Sequence, residues 1–249
     1  MVYMWALYAR EVKRFQKIWM DTVFSPIVSM GLYLAVFGIV LQGREIGGFN
    51  YLAFIYTGLL SMVLVNGSFS NPGFSLIIAK NVGTIIDLQV VPISTWRIGV
   101  AYALAALTRG LITLLMAALF TFWFIPGIQI AHPILLISAL LLNGFCFGLL
   151  GVAFGMWARG FESLTFMTTF ILQPMIFLAG VFYPITDLPS FWTTLSLFNP
   201  IHHTVNIIRY SLLGYQDVSY VTSFGVIIVF TMILFACMQF ITKKGLRRG

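Results

Sequence analysis

Charged residues are scarce in this sequence. Only 8% of its 249 residues are charged, against about a quarter in an ordinary soluble domain, while 60% are hydrophobic. Acidic residues number seven, and the two cysteines, Cys146 and Cys237, both lie inside apolar runs. This composition is typical of an integral membrane protein, and it disfavours a structural disulfide.

Several motifs that carry chemistry are also missing. The sequence has no Gly-x-x-x-x-Gly-Lys-Ser/Thr phosphate loop, no His-Glu-x-x-His zinc motif and no convincing Gly-x-Ser-x-Gly nucleophile elbow. His202 and His203 are adjacent, so they point to different helix faces and do not predict a metal site. We therefore expect no directly bound cofactor or metal and no catalytic residues in this chain.

Most basic residues are clustered beside apolar runs. Four lie near each end of the chain, at Arg10, Lys13, Arg14, Lys17 and at Lys243, Lys244, Arg247, Arg248. Clusters of this kind mark the cytoplasmic ends of membrane helices. We therefore predict that both termini are cytoplasmic and that the protein does not bind nucleic acid.

Six apolar stretches are interpreted as membrane-spanning helices. They cover residues 23–41, 49–80, 98–125, 134–157, 163–183 and 218–241. Six crossings keep both basic ends in the cytoplasm and place eleven of the fourteen Lys and Arg residues there, four at each end plus three in inner connectors. The predicted fold class is all-α, a polytopic membrane protein whose residues 1–249 form a single transmembrane domain.

Residues 185–213 contain two apolar pieces that are each too short to cross a bilayer, which takes about 20 residues. Tyr183-Pro184 breaks the preceding apolar run, and Asn199-Pro200 separates the two pieces. A seventh crossing would move the basic carboxy-terminal cluster out of the cytoplasm. We therefore predict a re-entrant helical hairpin in the outer half of the membrane.

Two segments are predicted at the cytoplasmic face. In residues 3–19, aromatic and apolar residues repeat every three or four positions opposite the basic ones, which favours an interfacial amphipathic helix over an unstructured basic flank. The predicted apolar face consists of Trp5, Tyr8, Val12, Phe15 and Trp19. In residues 81–93, Gly83 and Pro92 bracket a short helix. This connector is either a docking element for a soluble partner or a simple interfacial turn.

Three features inside the predicted spans require protein neighbours or a polar cavity. Residues 66–73 are polar and rich in helix breakers, which suits them poorly to lipid. The glycines of residues 144–155 repeat at steps of three and four, which predicts close helix packing. Arg109 lies about 18 Å along the helix from Arg97, taking roughly 1.5 Å per residue, which places it near the bilayer midplane. It is either a structural anchor, held by an ion pair or by carbonyl groups, or a contact for anionic cargo.

Short motifs occur in a familiar order along the chain. They are Asn66-Gly-Ser-Phe-Ser70, Gly83, Pro92-Ile-Ser94, Gly180-Val-Phe-Tyr-Pro184, Leu188-Pro189, Phe198-Asn-Pro200 and Arg209. In this order they resemble the signature of the type-2 ATP-binding-cassette (ABC) exporter permeases, over essentially the whole chain. The resemblance implies a homodimeric permease in the bacterial cytoplasmic membrane that pairs with two copies of a separate ATPase, which uses the ATP and Mg²⁺.

The resemblance also implies functional surfaces. Contacts with the ATPase would involve Arg10, Arg14, Lys17, Gly83, Ile86, Asp87 and Pro92. The substrate pathway between protomers would include Phe24, Tyr33, Phe37, Asn66, Arg109, Phe170, Phe177 and Tyr183. The outer re-entrant hairpin would include Pro184, Pro189, Asn199, Pro200 and Arg209. Lipid contact or core packing is an alternative explanation for each aromatic residue, and Arg209 is expected near outer headgroups or helix carbonyl groups.

Together these features favour the permease subunit of an ATP-driven exporter. Its cargo would be hydrophobic or amphipathic, namely a lipid, a glycolipid or polysaccharide, or a drug. The alternative is an ATP-independent channel or ion-coupled carrier, for which buried carboxylates and inverted repeats would be expected, and the sequence shows neither. A membrane-embedded enzyme is disfavoured because no reactive cluster is visible.

Overall fold

The computed structural model describes residues 2–17, 19–41, 43–90, 93–125 and 130–246. These ranges are mostly helical, because lipid cannot hydrogen-bond to backbone groups and a helix satisfies them internally. The helices are α1 (Val2–Lys17), α2 (Trp19–Val40), α3 (Tyr51–Asn81), α4 (Ile86–Val90), α5 (Thr95–Thr121), α6 (Pro133–Trp157), α7 (Phe161–Phe166), α8 (Gln173–Phe177), α9 (Ser190–Leu197), α10 (Pro200–Leu213) and α11 (Tyr220–Leu246). Strands β1 (Glu45–Ile46) and β2 (Phe49–Asn50) pair antiparallel between α2 and α3.

Four of the described helices, α3, α5, α6 and α11, are long and apolar enough to cross a membrane. Helix α2 contributes a shorter apolar segment, Phe24–Val40. A π-helix, Met167–Leu172, joins α7 to α8, so that the chain is helical from Phe161 to Phe177. The protein is therefore an all-α polytopic membrane protein, and the four long helices follow the predicted second, third, fourth and sixth spans within a few residues.

Helix α3 lies at the centre of the bundle, where it packs against α5 and α6. Asn50 caps its amino terminus by accepting a hydrogen bond from the backbone N–H of Leu52. The helix continues through the breaker-rich residues 66–73, including Pro72. Most of this run is buried by protein or lines a polar cavity, as its composition predicts.

Glycines on α6 allow its backbone to approach α3 and α5. A Cβ atom at Gly148 would lie 2.9 Å from the carbonyl oxygen of Ala103, and one at Gly151 would overlap the carbonyl oxygen of Phe69. Only a hydrogen atom fits at these two points. The close packing predicted from the glycine spacing is confirmed.

The chain leaves the fifth helical stretch earlier than predicted. Helix α8 ends at Phe177, and Gly180 has a φ of +78°, so the chain turns before Tyr183-Pro184 is reached. The π-helix upstream was not predicted either. It ends just before Pro174, which has no backbone N–H to donate to the preceding turn, and a locally widened helix tolerates that loss.

The predicted hairpin segment consists of a 3₁₀ turn, Ile185–Asp187, and helices α9 and α10. Asn199 caps α10 by accepting a hydrogen bond from the Ile201 N–H, and Pro200 occupies the first helical position. Helix α10 is buried against α3, α6 and α11. Two short helices therefore lie where the two short apolar pieces were recognised.

Candidate functional site

A polar cavity of about 290 Å³ lies between α2, α3 and α5, and Gln173 of α8 closes part of it. Of the predicted substrate-pathway residues, the cavity brings together Tyr33, Asn66 and Arg109. Ser25, Ser29, Ser70 and Thr113 add further polar groups to its lining. The breaker-rich part of α3 therefore lines a partly open cavity that has both polar and apolar walls.

Arg109 is held weakly in this cavity. Its Nη1 lies 3.5 Å from Oδ1 of Asn71, and the same oxygen accepts a hydrogen bond from Nη2 of Arg14 at 3.1 Å. Among the described side chains, no carboxylate lies within 4 Å of the Arg109 guanidinium. The ion-paired form of the structural anchor predicted for Arg109 is therefore not formed within the described ranges, and its described partner is the side-chain carbonyl oxygen of Asn71.

Helix α1 is attached to the bundle through a buried acid. Glu11 has 2% of its side chain exposed, and its Oε2 accepts hydrogen bonds from Ser75 Oγ at 2.6 Å and Arg14 Nε at 3.1 Å. Arg10 donates to the hydroxyl of Tyr102 at 3.0 Å. Polar contacts thus connect α1 directly to α3 and α5.

These contacts correct the predicted faces of α1. Phe15, from the predicted apolar face, is buried against the bundle. Trp5 and Trp19, the latter at the start of α2, are more than half exposed, as side chains facing lipid would also be. Arg10 and Arg14 reach into the bundle instead of lying on a separate solvated face. The physical reason is Glu11, whose buried carboxylate brings its cationic neighbours to the same side of the helix.

The two predicted ATPase-coupling segments lie side by side. Helices α1 and α4 flank a groove of about 190 Å³ that is bordered by Arg10, Asp87 and Leu88. Gly83, with a φ of +80°, turns the chain from α3 towards α4. Ile86 and Asp87 are exposed while Leu88 is buried, so α4 presents one apolar and one acidic side chain outward.

Of the remaining predicted coupling residues, Arg14 contacts α3, as described above. Lys17 is exposed at the end of α1, and Pro92 lies outside the described residues. The coupling role of all seven residues stays a prediction.

The ring of Phe182 is surrounded by three other aromatic rings. Its ring centroid lies 5.6 Å from that of Tyr33, 5.2 Å from Phe37 and 5.7 Å from Phe177. The hydroxyl of Tyr183 donates to the Phe177 carbonyl at 2.7 Å. Phe182 was not predicted as a site residue, although it lies within the Gly180–Pro184 motif.

Phe24 and Phe170 do not join this cluster. Phe24 is 65% exposed, and Phe170, 67% exposed, stacks on Phe166 at 5.2 Å. These two positions agree with the alternative explanation of surface contact in lipid.

Arg209 is completely buried in α10. Its Nη2 donates to the carbonyl oxygen of Gly180 at 2.8 Å, its Nε donates to Thr57 Oγ1 at 3.2 Å, and its Nη1 pairs with Asp217 at 3.5 Å. Its guanidinium carbon also lies 3.6 Å from the ring centroid of Phe54. Burial raises the pKa of Asp217, whereas the Arg209 guanidinium stabilises its carboxylate. Arg209 was predicted to lie near outer headgroups or near carbonyl groups. The structure shows a carbonyl partner, and complete burial separates the side chain from the headgroups.

The other predicted hairpin residues are positioned at helix starts. Pro184 precedes the 3₁₀ turn, Pro189 precedes α9, and Pro200 begins α10. Asn199 also donates from Nδ2 to the carbonyl of Met175 at 2.6 Å, which ties the hairpin to α8.

Buried histidines in this region also join helices. His202 Nδ1 lies 3.1 Å from the carbonyl oxygen of Ala179, and His203 Nδ1 lies 3.0 Å from Ser223 Oγ. Within the described ranges, no three His, Cys, Asp or Glu side chains are arranged to hold a metal ion.

The fold and these sites define a polytopic helical membrane protein with a polar cavity inside its bundle. Residues 3–213 match the family model described as ABC-2 type transporter. The chain belongs to the ABC-2 type transporter family. Over 246 residues it is 34% identical to the inner membrane transport permease YadH of Escherichia coli strain K12, covering 97% of this chain and 96% of that protein.

More distant similarity extends to two nodulation proteins. Nodulation protein J of Sinorhizobium fredii strain NBRC 101917 / NGR234 is 26% identical over 228 residues, or 89% of this chain and 82% of that protein. Nodulation protein J of Rhizobium leguminosarum bv. trifolii is 24% identical over 253 residues, or 98% of this chain and 94% of that protein.

These relationships confirm the resemblance inferred from the motifs. The chain is a multi-pass inner-membrane protein and the permease subunit of an ABC exporter. The alternative of an ATP-independent channel or carrier receives no support from these relatives.

Proposed function

We propose that this chain is one half of a homodimeric exporter permease that is driven by two copies of a separate cytoplasmic ABC ATPase. It would move a hydrophobic or amphipathic substrate across the bacterial cytoplasmic membrane, while ATP and Mg²⁺ bind to the ATPase and this chain itself catalyses no reaction. The observation that carries the proposal is the family match over residues 3–213, together with the adjacency of α1 and α4.

We propose six crossings, made by α2, α3, α5, α6, the stretch Phe161–Phe177, and α11. The two shorter apolar segments have 17 residues each, or about 25 Å of helix, close to the roughly 30 Å of a hydrocarbon core. Helices α9 and α10 would then return on the outer side. Accessible cysteines introduced at Thr186 and Ser219 should react with an impermeant reagent from the same side, and reaction from opposite sides would contradict this topology.

The contacts of α1 supply a route for coupling. Movement of α1 would act on α3 through the Glu11–Ser75 hydrogen bond and on α5 through the bond between Tyr8 and Thr108, whose hydroxyl oxygens lie 2.9 Å apart. Helices α3 and α5 both line the polar cavity. A rigid-body displacement at the ATPase surface would therefore change the shape of that cavity.

Hydrogen bonds also connect α3 to α6 near the end of α3 that contacts α1. The Lys80 ammonium donates to the carbonyl oxygens of Gly155, Met156 and Ala158 at 2.9, 2.6 and 2.7 Å. These carbonyls belong to the end of α6, where the helix leaves them without partners in the backbone. Helix α6 should consequently follow α3 during such a displacement.

Copurification with the ATPase tests the coupling surface. Replacing Asp87 by lysine reverses the charge that α4 presents, and Gly83→Val forces a β-branched residue into a positive φ. Each change is expected to reduce the recovered ATPase at least severalfold while leaving the permease folded. The matched control is Asp187→Lys, an exposed aspartate in the hairpin segment. Unchanged recovery with both variants would contradict the proposed surface.

A further inference from the structure

We propose that the cavity around Arg109 binds the anionic head group of an amphiphile, through a phosphate, sulfate or carboxylate. This inference rests on the proposed function in that it gives the exported substrate a chemical class. The binding itself requires no ATPase, so the two proposals are tested separately.

Positive charge is in local excess around Arg109 among the described side chains. Arg14 and Arg109 both approach Oδ1 of Asn71. Among the described side chains, the carboxylate in this cluster is that of Glu11, which lies against Arg14 at 3.1 Å and Arg10 at 3.7 Å. Three cations therefore share one described carboxylate, and Arg109 is the cation that does not touch it. A bound anion would supply the missing negative charge beside the partly buried Arg109.

Two hydrogen-bond donors on one face of α5 are unused within the described ranges. Nε of Arg109 and Oγ1 of Thr113 are both buried, and neither has a hydrogen-bond partner among the described residues. Thr113 is 1% exposed, and both residues line the cavity. Because they are four positions apart on α5, their side chains project from the same side of the helix. An anionic oxygen can accept hydrogen bonds from both, and bonds from a charged donor are the strongest of this kind.

The lining of the cavity changes from polar to apolar along α3. Asn66 and Leu59 of α3 both line it, and they are about 10 Å apart along the helix axis. Near Leu59 the lining becomes apolar, with Met30 and Tyr33 of α2. Tyr33 then leads to the aromatic cluster around Phe182, whose ring centroid is 5.6 Å away. A head group near Arg109 can therefore continue into an apolar tail that runs towards these rings.

A volume of about 290 Å³ holds a head group and the first carbons of a tail. The remaining tail would lie along the aromatic rings at the surface of the bundle. A small free anion would meet the same donors but would leave the apolar half of the cavity unused. The experiment must therefore separate these two sources of the negative charge.

Binding is measured on the purified full-length chain in a neutral detergent. The probes are 1-oleoyl lysophosphatidic acid and 1-monooleoylglycerol, which carry the same acyl chain and differ by the phosphate. Inorganic phosphate is the third probe, both alone and as a competitor. Microscale thermophoresis gives the dissociation constants, and native mass spectrometry gives the number of bound molecules per chain.

The wild-type chain should bind the lysophosphatidic acid about tenfold to a hundredfold more tightly than the glycerol ester, as expected for hydrogen bonds to a charged group. Arg109→Gln should abolish this preference, and Arg109→Lys should retain part of it. The matched control is Arg44→Gln, which removes an exposed arginine beside the β-hairpin and should leave the preference intact. Thr113→Val preserves the shape of the side chain and removes its hydroxyl, so it should weaken the preference severalfold. If the Arg109 variants do not fold, this variant tests whether the cavity binds the anionic group.

Three results would overturn the inference: equal binding of the two lipids by the wild-type chain, a preference that survives both Arg109→Gln and Thr113→Val, or inorganic phosphate binding as tightly as the lysophosphatidic acid. If the ATPase still copurifies in any of these cases, only the assignment of an anionic substrate fails. Loss of the ATPase interaction would instead count against the proposed function.

Discussion

Arg209 is the largest fully buried side chain among the described residues, and its replacement by methionine should destabilise the protein strongly. Methionine keeps much of the apolar stem, but it cannot donate to the Gly180 carbonyl or to Thr57. It also leaves Asp217, whose side chain is fully buried, without its cationic partner. The hairpin would lose its central polar connection to α3 and to the turn after α8.

The magnitude follows from the burial of the pair. Both side chains have a relative exposure of 0%, so solvent does not screen the interaction. Removing one partner of such a pair costs about 3–5 kcal/mol. For a chain of this size, each kcal/mol lowers the melting temperature by about 2–4 °C. Arg209→Met should therefore lower the melting temperature by about 6–20 °C.

The two free cysteines provide the assay. Cys146 is buried and Cys237 is exposed, so a Cys237→Ser background leaves one thiol that reacts with a fluorogenic maleimide only when the bundle opens. Thermal unfolding of the detergent-solubilised chain is followed by that fluorescence. The control is Arg44→Met, an exposed position where a change of no more than about 0.5 kcal/mol is expected.

A double-mutant cycle provides the decisive comparison. Asp217→Asn alone should also destabilise the protein, because it leaves Arg209 charged and buried. The double variant Arg209→Met/Asp217→Asn should be destabilised by clearly less than the sum of the single effects. Additivity within about 0.5 kcal/mol would show that the two side chains do not interact and would refute the reasoning.

Two further predictions concern the packing of α6 and the attachment of α1. Gly151→Ala should lower the free energy of unfolding by about 1–3 kcal/mol in the same thermal assay, because the added methyl group would overlap the backbone of α3. The control Gly225→Ala, at an open position on α11, should not lower stability. Equal effects of the two changes would contradict the packing. Glu11→Gln should weaken the hydrogen bonds between α1 and the bundle and speed amide hydrogen exchange in residues 2–17. The control Glu162→Gln, at an exposed position, should leave that exchange unchanged. Unchanged exchange in the Glu11 variant would contradict the anchoring role.

Movement of α1, α3 and α5 links the two ends of the proposed mechanism. The groove between α1 and α4 lies at one end of the bundle, and Arg109 lies in the cavity that α3 and α5 help to form. Glu11 and Arg14 contact α3 within the stretch Asn71–Ser75, which begins directly after the cavity residue Ser70. Coupling at the ATPase surface and changes at the proposed anion site would therefore share the same pair of helices.

Local sequence features determined much of the architecture. Four apolar stretches predicted α3, α5, α6 and α11 within a few residues, because the length of an apolar run is set by the thickness of the bilayer. The glycine spacing of α6 predicted its close packing, since a missing side chain is visible without knowledge of the neighbour. The Asn199-Pro200 step predicted the start of α10, because capping depends on adjacent residues.

Contacts between distant residues were decided by the tertiary structure alone. Thr57, the partner of the Arg209 Nε, is 152 positions away, and Ser75 is 64 positions from Glu11. No local pattern shows that Glu11 faces inward, that Phe182 gathers three other rings, or that the chain turns at Gly180. Hydrophobicity and helix period specify where an apolar surface runs along each helix, but buried polar groups take whichever partners the packed bundle brings within hydrogen-bonding distance.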